Sequence, residues 1–278
     1  MRRTDTSAEW VDNAPGSRAR TPAWTELWQA RELVGFFALR DLTSRYKQAA
    51  LGAAWVLVQP LATVAAFTLV FDELAGIASQ GIPYPLFALT GLVTWTYFSS
   101  AVSRASSVLV GDSSLITKVY FPRIAAPVGA LLPPVVDLAV SLALVVVFML
   151  HYAVQPSWRL LAVPVWLLLL VLTAGAVALW LSAVNVRYRD VQHAIAPLLQ
   201  LWLFLSPVAY PSTLLSGWQE LAFALNPLTG VIGLGRWSLL GAPWPGWSLA
   251  VSTATVALLL IGGVRYFRRA ARGFADVI

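Results

Sequence analysis

Between Arg159 and Arg187 the chain runs for 27 residues, 160–186, without a charged side chain, and 191–219 is free of Asp, Glu, Lys and Arg for 29 more. Such runs have one comfortable solvent. About 20 apolar residues in a helix cross the ~30 Å hydrocarbon core of a bilayer. Inside it the backbone must satisfy its own hydrogen bonds, which leaves helices or closed barrels. The remaining uncharged stretches are 48–71, 74–103, 124–158 (interrupted only by Asp137) and 237–264. They predict six transmembrane helices: 48–71, one from about Tyr84, one within 124–158, and then one within each of 160–186, 191–210 and 237–264. The expected fold is an all-α integral membrane protein with its six-span domain over 48–268. Composition agrees, since 12% charged residues is half of what soluble domains carry, about 25%.

"LAFALNPLTGVIGLG" (221–235) is apolar but short, and Asn226-Pro227 and several glycines break it. It reads as a re-entrant pair of helices within 212–241, between spans five and six, where the pair dips into the membrane without crossing it.

The 19 Lys and Arg residues are distributed unevenly. Eight precede the first span, and Arg104, Lys118 and Arg123 lie between spans two and three. Arg187 and Arg189 separate spans four and five, and four arginines follow span six. Only Arg159 and Arg236 fall on the other side. The positive-inside rule then places both termini in the cytoplasm, as an even number of spans requires. This asymmetry accounts for the net charge of +6 without a nucleic-acid partner. Residues 1–23 read as a disordered basic cytoplasmic tail and 269–278 as a cytoplasmic C-terminus. Thr21-Pro22 is a helix-start signal, and Trp24, Leu27, Trp28, Val34 and Ala38 fall loosely on one face. Residues 24–41 are therefore expected to form an amphipathic interface helix, with Arg31 snorkelling to the headgroups.

Catalytic chemistry finds little support. There are no cysteines, and His151 and His193 are too far apart in sequence to suggest a metal site. No Ser-His-Asp pattern and no paired intramembrane carboxylates are present. The P-loop pattern that cradles ATP phosphates is also absent, so ATP and its Mg would have to be bound by a partner. Asp137 is the one carboxylate inside a span and marks function by default; pairing, conduit lining and proton coupling all fit it. Trp95, Tyr97, Trp166, Trp180 and Trp202 lie within spans, either packed or lining a conduit for a bulky amphipathic solute such as a sugar chain. Ala174, Ala178 and Ser182 form a stripe permitting close helix approach, within one chain or across a dimer. Arg187-Tyr188-Arg189-Asp190 concentrates charge between two apolar runs. It marks topology, and its Asp190 is expected to pair with a basic residue where another protein pushes.

"LRDLTSRYKQAALGAAWVLVQPL" (39–61), "LITKVYFPRIAAP" (115–127), "VRYRDVQHAIAPLLQLWLFLSPVAYP" (186–211), "LNPLTGVIGLGRWSLL" (225–240) and the terminal "FADVI" resemble, in order, segments of the membrane subunits of ABC type-2 polysaccharide exporters. The resemblance implies a homodimer joined by two ABC ATPase subunits in the bacterial cytoplasmic membrane. Such assemblies export undecaprenyl-diphosphate-linked polysaccharide, and this chain would be a permease, not an enzyme, with no cofactor of its own. It implies a lipid-diphosphate site at Arg40, Arg45, Tyr46 and Lys47, unless these only anchor the chain to anionic lipid. ATPase coupling would fall on Arg31, Asp41, Asp112, Lys118, Arg123, Arg187, Arg189 and Asp190, the central stretch being the 104–123 loop. Trp95, Tyr97, Asp137 and Trp202 would line the conduit, and Asn226, Pro227 and Arg236 would form a periplasmic gate. Two other readings stay open: an ion-coupled secondary carrier of a bulky amphipathic substrate, and an enzyme acting on polyprenyl lipids.

Overall fold

A computed structural model of the chain describes residues 28, 30–46, 52–111, 121–188, 190–214 and 216–274, with the side chains of 44–46 and 52–56 outside the description. Its regular elements are all helical among those residues. In chain order they are α1 (Arg31–Tyr46), α2 (Gly52–Phe67, continued by a π-helical turn Thr68–Leu74) and α3 (Tyr84–Gly111). Next come α4 (Ala125–Gly129), α5 (Pro133–His151), α6 (Val163–Arg187) and α7 (Val191–Phe204), followed by α8 (Trp218–Leu225), α9 (Pro227–Leu240) and α10 (Trp247–Ala270).

Five segments are long and apolar enough to cross a membrane: Leu57–Leu74, Tyr84–Gly111, Ala125–His151, Trp158–Arg187 and Trp247–Gly273. The sixth apolar stretch yields only α7, whose 14 residues reach about 21 Å at 1.5 Å per residue. It stops at Phe204, three residues before Pro207, because proline cannot donate into a helix and biases the preceding residue out of α geometry. The chain then turns through 205–211, short of the 210 expected for the fifth span. The third span starts with a break of its own. Pro133 and Pro134 occupy the first turn of α5, where no N–H is needed, and α4 precedes them as a separate short helix. Asn226-Pro227 divides α8 from α9 as expected: the Asn226 side chain caps α9 by accepting from Leu228 N at 3.1 Å.

α3 is the central pillar, and α6 packs along it and against α10. Ala174, Ala178 and Ser182 are all buried within the chain. The small-residue stripe is thus used inside the protomer, where it lets α6 sit close to its neighbours. One large apolar cluster joins α3, α5, α6 and α9, with Trp166 wholly buried in it. A second one lies at the end rich in arginine. It gathers Phe37 of α1, Leu109 of α3, Phe121, Ile124, the far end of α6 and Phe267 and Phe274 of the C-terminal segment. The opposite end is marked by tryptophans: Trp237 lies edge-on to both Trp158 and Trp244. The two are called here the basic and the aromatic end.

Candidate functional site

At the basic end, α1 runs five residues past the expected boundary at 41, to Tyr46. It packs on α4, where a side chain on Gly129 would meet Phe37 Cβ at 3.1 Å and Val34 O at 3.2 Å. Arg40 lies over the Phe37 ring, 5.4 Å from its centroid, and Phe37 in turn contacts Phe121 at 5.6 Å. Asp41 accepts a 2.8 Å ion pair from Arg104 of α3, which ties α1 to the central pillar. Arg123 donates to the Ala271 carbonyl and sits over Phe274. The end of the 104–123 segment is thereby clamped to the C-terminal turn. Arg31 donates to Trp28 O at 3.2 Å, and Arg187 lies over Tyr188. Asp190 is exposed, and among the described residues it forms no ion pair. The ion pair described at this end is made by Asp41, which faces α3, while Asp190 opens α7 on an exposed surface. Lys47, Asp112, Lys118 and Arg189 lie outside the described residues, as do the side chains of Arg45 and Tyr46.

At the aromatic end the arrangement centres on Arg236. Its side chain is 4% exposed and donates to three backbone carbonyls: Phe87 (3.3 Å), Pro207 (2.8 Å) and Val208 (2.6 Å). The guanidinium also covers the Phe87 ring at 3.4 Å. One residue of α9 thus holds the start of α3 and the turn after α7. That turn frees carbonyls because the proline ends its helix, and a planar five-donor fork can satisfy several at once. α9 is too short to span, and burial lowers the Arg236 pKa to about 9, which leaves it charged at neutral pH. Tyr84 adds a fourth tie, donating to Ala209 O at 2.7 Å. Gly91 makes the approach possible, since a Cβ there would meet Val208 O at 2.7 Å and the Arg236 guanidinium at 2.8 Å.

Asn226 fastens the same turn from the other side. Its amide donates to Leu205 O and Ser206 Oγ, both at 2.9 Å, while Trp202 Nε1 donates to its oxygen at 3.1 Å. Pro227 follows as the first residue of α9. Ser252 of α10 accepts from Gly230 N and donates towards Ala224 O and Asn226 O. A cavity of about 130 Å³ beside Arg236 is lined by Glu220, Thr229, Trp244 and Pro207 among others. Arg159, the other outlying arginine of the sequence, donates to Gly241 O at 2.6 Å and covers Trp237.

The in-span aromatics are mostly packed. Tyr97 is 2% exposed and donates to Leu131 O at 3.2 Å. Val135 bonds Leu132 instead of Leu131, so the hydroxyl satisfies a carbonyl left over by the Pro133-Pro134 break. That role leaves Tyr97 no surface for a passing solute. Trp180 donates to Leu259 O and stacks on Tyr266. Trp202 is half-buried, edge-on to Phe98 at 5.2 Å. Asp137 is buried on α5, the helix that packs on α1 and α2. Trp95 borders an open groove between α3 and α7. Sequence reasoning did not single out Arg104, Tyr84, Gly91, Ser206 or Ser252. The signal for Arg104 was present, a lone basic residue closing an apolar run opposite Asp41 on another helix. The others carry no local signal.

Comparison with known proteins places this architecture. The ABC-2 type transporter family matches residues 32–240, which takes in α1 through α9 with both tied ends. The chain belongs to the ABC-2 type transporter family. Among members, the O-antigen export system permease protein RfbA of Myxococcus xanthus is 32% identical over 210 residues, 74% of this chain and 80% of that protein. A protein of the same description from Klebsiella pneumoniae is 23% identical over 240 residues, 86% and 92% of the two chains. The polysialic acid transport protein KpsM of Escherichia coli is 27% identical over 202 residues, 71% and 77%. In this ABC-2 chain the whole of α10, which holds Phe267 and contacts Phe274, lies beyond the region that the family matches.

Proposed function

We propose that the chain is the membrane permease of an ATP-driven exporter of lipid-linked polysaccharide. It would work as a homodimer with two separate ABC ATPase subunits, which bind ATP and Mg. The observation that carries this reading is the similarity to O-antigen export permeases over 80–92% of their length. The substrate would be anchored to undecaprenyl diphosphate in the bacterial cytoplasmic membrane, with both termini in the cytoplasm and the aromatic end at the outer face. A diphosphate at the basic end wants arginine or lysine, and Arg40, Arg45 and Lys47, beside Tyr46, have that chemistry.

Within this reading the geometry supports a route for coupling. Residues 104–111, expected in a 104–123 loop, belong to α3; an ATPase pressing on α1 or on the chain between α3 and α4 would move Asp41 and Arg123, and with them Arg104 and the C-terminal turn. Arg104 and Phe87 are on one helix, α3, about 26 Å apart at 1.5 Å per residue. A displacement at the basic end would therefore reach the Arg236 tie through a rigid rod, and releasing that tie would free the α7–α8 turn to open. The test is co-expression with the cognate P-loop ATPase, reconstitution in proteoliposomes, and measurement of ATP hydrolysis and glycan translocation. ATP-dependent translocation is expected. Substrate movement by the purified chain alone, driven by an ion gradient, would replace this reading with an ion-coupled carrier, and chemical turnover of a polyprenyl lipid would replace it with an enzyme.

A further inference from the structure

The residues that lead into α4, 121–124, are held from two sides. Phe121 meets Phe37 of α1, ring centroids 5.6 Å apart. Two residues on, Arg123 donates to the Ala271 carbonyl and lies over the Phe274 ring, 5.8 Å from its centroid. Pro122 between them has its φ fixed by the ring, and its carbonyl accepts from Ala125 N at 2.8 Å, which closes the turn into α4. Both grips therefore act on one stiff unit of chain. The second grip is supplied from outside the region that the family matches. After α10 the chain makes a single 3₁₀ turn, Ala271–Gly273, and then buries Phe274, 3% exposed, edge-on to Phe267 at 5.6 Å. A lone turn has little stability of its own. The buried ring holds it in place, and the face of that ring suits a guanidinium.

α10 carries this grip to the aromatic end. It packs along α6 and α9, and its Ser252 accepts from Gly230 N and donates towards Ala224 O and Asn226 O at the α8–α9 break. Ser252 and Ala270 are about 27 Å apart along one helix at 1.5 Å per residue. A push on 121–124 held by α1 alone would be spent in moving that segment. Held also by the Phe274 turn, the segment draws α10 with it. We infer that Phe274 is a positioning residue for coupling: its ring seats Arg123, so that α10 follows the ATPase stroke and transmits it to the Asn226 break. This rests on the exporter reading above and adds to it a second rod beside α3.

One arm of the test needs no ATPase. Hydrogen exchange over 121–130 is followed in the full-length chain in nanodiscs for Phe274→Ala, Phe274→Leu and Leu170→Ala. Leu170 is equally buried but belongs to the first cluster, so its truncation controls for general destabilisation. Truncating the Phe274 ring should open the turn at least about tenfold more often. Exchange at Ala125 and Val128, whose amides bond Pro122 O and Ile124 O, should quicken by that factor over Leu170→Ala. Phe274→Leu keeps most of the volume and loses the ring face, and should quicken exchange about two- to fivefold. In proteoliposomes with the cognate ATPase, glycan translocated per ATP hydrolysed should fall from the parental chain through Phe274→Leu to Phe274→Ala, and Leu170→Ala should stay with the parent. Exchange in Phe274→Ala no faster than in Leu170→Ala overturns the inference, as does unchanged translocation per ATP once the turn has opened. A parental chain without ATP-dependent translocation removes the exporter reading instead, and the exchange arm still decides whether Phe274 holds Arg123.

Discussion

Replacing Arg236 by Met removes three hydrogen bonds from a charged donor, to Phe87, Pro207 and Val208, along with the contact on the Phe87 ring. Bonds to charged groups contribute about 1.5–3 kcal/mol each, so the gross loss is roughly 4.5–9 kcal/mol. Against this stands the desolvation of a fully buried cation, several kcal/mol, which Met does not incur. The net loss is about 2–4 kcal/mol, and it falls on the turn after α7, not on the bundle. Since 1.4 kcal/mol is tenfold in an equilibrium constant, opening of the turn should rise roughly 30- to 1,000-fold. Ala209→Cys reports it, because Ala209 is 6% exposed and its carbonyl takes the Tyr84 hydroxyl. Thiol labelling of that position in nanodiscs should accelerate by this factor in the Arg236→Met background. Arg236→Lys should label faster still: an ammonium keeps the charge, cannot span three carbonyls, and is more strongly hydrated than a guanidinium. Labelling at the parental rate in Arg236→Met, or full protection in Arg236→Lys, would refute the idea that this fork closes the aromatic end.

The Asp41–Arg104 pair is 30–39% exposed and so contributes only about 0.2–1 kcal/mol to stability. Asp41→Asn should leave thermal unfolding nearly unchanged yet lower translocation per ATP hydrolysed, and the swapped pair Asp41→Arg with Arg104→Asp should recover part of it. Asn226→Ala should cost about 1 kcal/mol through the lost helix cap and also speed labelling of Ala209→Cys, since the Leu205 and Ser206 ties go with it. Gly235→Ala puts a methyl 2.7 Å from Trp166 Nε1, an overpacking of about 1–3 kcal/mol. Its thermal unfolding should recover when Trp166→Phe is added. Asp190→Ala should leave insertion and orientation intact; loss of transport with intact ATPase binding would assign Asp190 to a partner contact, and loss of insertion would return the cluster to topology.

Most long helices were legible because each depends on a local property, the length of an uncharged run; the last one, expected within 237–264, runs instead over Trp247–Ala270, since 237–240 close α9 and the helix continues through Arg265. Tyr84 as the start of the second long helix and Asn226-Pro227 as the break before α9 were read from residues a few positions apart. The early stop of α7 was also written locally, in Pro207, but the length of the apolar run concealed it. Tyr97, left open between packing and conduit lining, was not legible for a different reason. Periodicity puts a tyrosine on a helix face, yet its partner is a carbonyl 34 residues away that only the proline break on α5 leaves over.

The sequence by itself determined that this chain is a bundle of membrane helices with one basic end, because hydrocarbon admits only long uncharged runs whose backbones bond internally. The tertiary structure alone decided how the ends are tied. Arg236 meets carbonyls 149, 29 and 28 residues distant, Arg104 meets Asp41 across 63, and Gly91 leaves room for the first of these. Backbone carbonyls are the same at every residue, so no pattern of side chains announces which of them a proline will strand or which arginine will be folded against them.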